Sequence, residues 1–214
     1  MLHKSNFKNC VMKAVNIIIK LVLLGIIVFL IYLIVAGIQK PIDFDIERKA
    51  RFNKVIERLK DIRTAQVEYK NQYGYYTPDF DTLINFIKNA KMPVVYAEGA
   101  VPDSLTELEA FELGIIKRDT SYVPYMDTLF KHIDYKIERM KYIPVGTKAQ
   151  FRMDTSTINT GSGVPVKVFE ARISNWDVLH GLDEQLIINY NSENDSVIKV
   201  GSLETANNNA GNWE

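Results

Sequence analysis

Cysteine is almost missing from this chain of 214 residues, and with Cys10 alone no internal disulfide framework can form. Cys10 also precedes the long hydrophobic run, whereas a lipid-modified cysteine at a signal-peptide junction would follow it. It reads as an unpaired thiol near the chain start. Net charge is missing as well: 26 basic side chains face 26 acidic ones. Residues 1–20 hold Lys4, Lys8, Lys13 and Lys20 and no acid, and residues 21–38 hold no charge. The remaining chain therefore carries 22 basic against 26 acidic groups. A mildly acidic body without a basic stripe excludes nucleic acid as a partner, because phosphate binding needs clustered Lys and Arg. No repeat recurs at a fixed period and no glycine-serine linker divides the soluble part, so one domain is expected.

What is present begins at residues 21–38, "LVLLGIIVFLIYLIVAGI", which hold no charge at all. As a helix this run spans roughly 27 Å, close to the hydrocarbon thickness of a bilayer. Lys20 sits where it can snorkel to the headgroups. A cleaved signal peptide would have a shorter apolar core, so the expectation is an uncleaved anchor behind a basic segment, residues 1–20. Basic residues flank both ends equally, with Lys40, Arg48, Lys49 and Arg51 on the far side. The short basic N-terminus has the form of a signal anchor. The chain is therefore expected to lie in a bacterial inner membrane, crossing it once, with a cytoplasmic N-terminus and a periplasmic C-terminal domain.

Pro41 is expected to kink or break any helix that crosses it. Beyond it, Phe52, Val55, Ile56, Leu59, Ile62, Gln66, Tyr69 and Tyr73 recur at spacings of three and four, predicting a helix over about 45–73. Arg48, Lys49, Arg51, Lys54, Glu57, Arg58, Lys60, Asp61 and Lys70 fall on the opposite, solvated face. Gly74 provides the left-handed residue that ends such a helix. Thr77, Pro78 and Asp79 then predict a second helix, with Thr77 as its cap and Pro78 at its first position. Tyr73, Tyr75 and Tyr76 mark a corner that either packs helices against a sheet or holds a ligand.

An apolar N-terminal helix followed by "AQVEYKNQYGYYTPDFDTLINFI" resembles the first half of type IV pilins and type II secretion pseudopilins, over residues 21–90. The resemblance implies an α+β fold, with a four-stranded antiparallel sheet laid on the long helix. The family's basic leader ending in glycine, its Phe-Thr-Leu and the Glu within its apolar run do not appear here.

From Lys91 the period changes. Residues 39–90 form the helical stalk, 91–203 an α+β domain, and 204–214 a polar tail that is loose or docks by Trp213. "MPVVY" predicts a strand, and "SLTELEAFELG" a helix with Ser104 and Glu107 as its capping box and Gly114 past its last turn. "IDYKI" alternates as a strand over 133–137. "VPVKVFEARI" alternates and then shifts phase, as a bulged strand or one buried on both faces does. "LIINY" and "VIKV" predict a hairpin across "NSENDS", whose Glu193 and Asp195 lack the regular spacing of a calcium loop.

The candidates for chemistry are few. His132 and Asp134 read as a surface pair, with no nucleophile implied by spacing. Asp177, His180 and Glu184 are the best metal candidates, and Gly181 interrupts their spacing, so a polar turn covering Trp176 is preferred. "TGSGVP" reads as a turn. No cofactor is implied. The expectation is a structural or interaction subunit of the cell envelope, without catalytic activity, contacting the lipid bilayer and other envelope proteins or copies of itself. Its rivals are a tethered periplasmic ligand-binding or sensing module, and an enzyme using His132 or His180.

Overall fold

The computed structural model describes residues 2–102, 106–159, 161 and 163–214, the side chains of residues 2–15 and 97 aside. The chain divides into two compact units, residues 1–50 and 51–214. The first helix, α1, is Leu2–Tyr73 and passes through Pro41 without ending. Of the kink or break expected at Pro41, the break does not occur. Proline removes one ladder hydrogen bond, the one to the carbonyl of Gly37, and a single missing rung in so long a helix does not end it.

Within the first unit, every large apolar side chain from Ile17 to Ile38 is exposed, by 48% to 67%. The helix is long and apolar enough to cross a membrane. Asp45 accepts hydrogen bonds from Arg48 and Lys49 one turn on.

In the second unit α1 supplies one wall of the core. Val55, Leu59, Ile62 and Ala65 are wholly buried, and Tyr69 nearly so. Burying each large aliphatic side chain contributes about 1.5–3 kcal/mol. The polar face is corrected at two positions, since Arg58 and Asp61 are buried while Lys54, Glu57 and Lys60 are exposed. Residues 132–144 cover the helix at that point, and they provide polar partners for both groups.

The helix α2, Phe80–Asn89, buries Leu83, Ile84, Phe86 and Ile87. Its cap is Asp79 rather than Thr77: Thr82 N–H donates to Asp79 Oδ2 at 2.7 Å, and Pro78 lies outside the helix. Strands β1, Lys91–Glu98, and β2, Lys117–Pro124, pair antiparallel as a separate two-stranded sheet. Between them α3, Glu107–Glu112, is capped by a box of Thr106 and Glu109. The box falls two residues later than expected, and Ser104 lies outside the described residues. Gly114 has φ +70°, the left-handed stop anticipated.

The short helix α4, Tyr125–Thr128, leads to a 3-10 turn at Ile137–Arg139. No strand forms over 133–137, because Tyr135 turns its hydroxyl into Asp61 instead of entering a ladder. Strands β3, Arg152–Asn159, β4, Pro165–Ser174, and β5, Val197–Gly201, make a three-stranded antiparallel sheet in the order β3-β4-β5. The single four-stranded sheet implied by the resemblance is thus replaced by sheets of two and three strands. The pairing of β4 is unbroken on both sides, and Val168 to Ala171 are all buried. The phase shift in its sequence therefore reflects a central strand covered on both faces, not a bulge.

Asn175–Val178 forms α5, and Glu184–Glu193 forms α6. "LIINY" is therefore helical, which corrects the expected hairpin. Asp183 accepts from the N–H groups of both Gln185 and Leu186, and this cap decides a short apolar run that periodicity leaves ambiguous. The tail is docked by its backbone, not by Trp213 alone. Gly201 N–H donates to Ala210 C=O at 3.0 Å, and Asn212 N–H to Lys199 C=O at 3.1 Å.

Candidate functional site

The stop of α1 is built from its last two turns. Gly74 has φ +78°, and its N–H donates to Lys70 C=O at 2.7 Å. The three tyrosines that follow the expectation of a corner then divide. Tyr76 is buried, with its ring 4.8 Å from that of Phe169 on the central strand. Its hydroxyl donates to Asn209 Oδ1 and accepts from Asn209 Nδ2 and Lys70 Nζ. Tyr73 and Tyr75 remain about half exposed. They stack around Tyr69, with centroids 4.7 Å and 5.7 Å from its ring, and Phe86 closes the cluster at 5.2 Å. Burial and a hydrogen bond with Tyr75 push the Tyr69 phenol up to about 12. Lys167 reaches from β4 to donate to Gly74 C=O at 2.9 Å.

A second polar centre lies on the other flank of α1. Asp61 Oδ1 lies 3.0 Å from His132 Nε2, and Tyr135 donates to Asp61 Oδ2 at 2.6 Å. The Arg58 guanidinium stands 3.3 Å over the Tyr135 ring and donates to Arg139 C=O at 2.7 Å. Burial and then the Asp61 hydrogen bond hold the Tyr135 phenol well above its ordinary range. His132 is thus partnered by Asp61, seventy-one residues away, and not by Asp134, which is exposed. A carboxylate, an imidazole and a phenol in contact can orient a proton. Among the described residues, no hydrogen bond joins a serine, threonine or cysteine side chain to any of the three.

Comparison with protein-family models, curated proteins and solved structures finds no match to this chain.

Among the described residues, no three His, Cys, Asp or Glu side chains converge as a metal would require. Asp177 lies on α5, exposed His180 in the turn after it, and exposed Glu184 at the start of α6. Arg51 holds that turn from α1, donating to the carbonyls of Val178 at 3.2 Å and His180 at 2.9 Å. The turn does not cover Trp176, which is 44% exposed. Asp195 is engaged by the tail, since Asn212 Nδ2 donates to its carboxylate at 3.0 Å. Sequence reasoning missed Asp61 as a partner for His132 and Tyr135. A buried acid on the polar side of an amphipathic helix leaves no signal in the apolar period.

Proposed function

We propose that the chain is a single-pass, membrane-anchored, pilin-like subunit of the cell envelope that works through protein contacts and not through catalysis. The exposed apolar residues from Ile17 to Ile38 support the tether. The observation that carries the interaction role is the surface of the β1–β2 ribbon with α3. There Val95, Tyr96, Leu108, Phe111, Leu113 and Tyr122 are exposed by 48% to 69%. Among the described residues each strand of the ribbon pairs only with the other, so both outer edges offer backbone donors and acceptors to a further strand. Isolated exposed apolar residues are ordinary; what supports a contact surface here is that these stand on, or in the chain between, two strands whose outer edges are open. The proposed placement is a bacterial inner membrane with the N-terminus in the cytoplasm and the larger unit in the periplasm.

Photo-crosslinking groups at Leu113 and Tyr122 in native membranes test the reading, with Asn189 on α6 as the control position. Discrete adducts from the ribbon positions and none from the control are expected. Monomer at all three would remove the proposal. Labelling of Cys10, and separately of Ser192→Cys, with an impermeant thiol reagent in intact cells tests the topology: protection of the first and modification of the second are expected.

A cavity of about 270 Å³ lies under Tyr75 and Tyr76, against Thr155, Ser156, Thr157 and Lys167. It favours a second reading, a tethered ligand-binding or sensing module. Ligand uptake by the full-length protein that Tyr75→Ala abolishes without unfolding would support that reading over the first.

A further inference from the structure

The segment around the 3-10 turn closes over Arg58 and leaves a cavity of about 530 Å³. Its walls include Arg58, Tyr135, Arg139, Tyr142, Pro144 and Lys148, and no acidic residue lines it. That volume lies within the range of small-molecule sites, about 300–1,000 Å³. Three of these residues are cations, and their situation is unusual. Arg58 is only 8% exposed, yet no carboxylate stands within ion-pair distance of it among the described residues. Its Nη1 donates to the carbonyls of Arg139 and Tyr142, which carry no charge. Asp61, one turn on along the helix, is already engaged by His132 and Tyr135, and it and Asp134 act on Arg58 only through space. Arg139 and Lys148 are exposed at the mouth and have neither a hydrogen bond nor an ion pair from their side chains among the described residues.

A buried cation is costly unless an opposite charge accompanies it. Burial holds the Arg58 pKa below its ordinary value, against the opposing pull of Tyr135, Asp61 and Asp134. The Tyr135 ring fixes the guanidinium plane, so its remaining donors are pre-oriented. The rest of the wall is apolar: the Tyr142 ring, Ile143 and Pro144. We propose that this cavity binds a small anion with a flat apolar body, an aryl carboxylate or aryl phosphate. The charged group would sit among Arg58, Arg139 and Lys148, and the ring against Tyr142 and Pro144. A guanidinium fork suits such oxygens because it donates two parallel hydrogen bonds to them.

Isothermal titration of the full-length protein in neutral-detergent micelles tests this, with phenyl phosphate and benzoate as probes and inorganic phosphate for comparison. Saturable one-to-one binding of at least one aryl anion is expected, at least about tenfold tighter than inorganic phosphate. Arg139→Ala combined with Lys148→Ala, both exposed and free to change without unfolding the chain, should weaken it by about tenfold or more. Lys54→Ala, outside this cavity, should leave it unchanged. No saturable binding of either aryl probe, or equal affinity in the double variant, would overturn the proposal. Inorganic phosphate as tight as phenyl phosphate would remove the ring from it. Displacement by phosphatidylglycerol doped into the micelles would make a lipid headgroup the ligand and overturn the assignment to a free aryl anion.

Discussion

Gln66 and Thr77 bond to each other as two strands would, side chain against backbone. Gln66 Nε2 donates to Thr77 C=O at 2.5 Å, and Thr77 N–H donates to Gln66 Oε1 at 3.2 Å. Both residues are buried, so the amide supplies the partners that the chain loses when it leaves α1 at Gly74. Gln66→Leu keeps the volume and removes both bonds, stranding a buried donor and acceptor. We expect it to destabilise the second unit by about 2–5 kcal/mol. Urea unfolding of the full-length protein, followed by near-ultraviolet dichroism, measures this. A loss below about 1 kcal/mol would mean that water replaces the amide.

The tyrosine corner should separate into one structural ring and two surface rings. Tyr76→Ala removes a buried ring from Phe169 and is expected to cost about 3–5 kcal/mol. Tyr76→Phe, which loses only the bonds to Asn209 and Lys70, should cost about 1 kcal/mol. Tyr75→Ala should cost at most about 1.5 kcal/mol, the value of its ring contacts. Equal losses at positions 75 and 76 in the same unfolding measurement would contradict this division.

What could be read beforehand follows the strength of local signals. The α1 stripe, its stop at Gly74 and the strand from Pro165 to Ser174 were legible because each is fixed by period or by a residue with a special backbone. Strands β2 and β3, "KRDTSYVP" and "RMDTSTIN", passed unseen. Both are polar and largely exposed, so neither alternates between apolar and polar residues. "LIINY" was misread because Asp183, and not the apolar run, decides its conformation. The Asp61 centre was illegible for a different reason. Its members are brought together by residues 132–144 folding back on α1, and no spacing in the chain encodes that return.

Gly201 ends β5 with φ +77°, and a Cβ there would collide with the Phe169 carbonyl of the neighbouring strand. Gly201→Ala therefore combines left-handed strain with a clash against backbone, and should cost at least about 2 kcal/mol. The Gly201 N–H also holds Ala210, so the tail should loosen at the same time. Amide exchange at residues 209–212 should accelerate in the variant. Gly163→Ala is the control: φ is +76° there but nothing lies within contact, so only the strain of about 1–2 kcal/mol applies.

Alkaline pH should act on the second unit through Tyr69. Burial, then the hydrogen bond with Tyr75, raises this phenol from its ordinary 10.0 to about 12 in the folded state. Below pH 10 both folded and unfolded chains hold the proton, and the contribution to stability is complete. Between pH 10 and about 12 the unfolded chain releases the proton while the folded chain keeps it, so stability falls as pH rises. Tyr125, raised chiefly by burial, adds to the same trend. Tyr69→Phe cannot ionise, so its stability should decline less across that interval than that of the wild type. Urea midpoints measured on both proteins just below pH 10 and near pH 12 give the comparison, and parallel declines would show that the Tyr69 hydroxyl ionises as freely in the folded protein as in the unfolded chain.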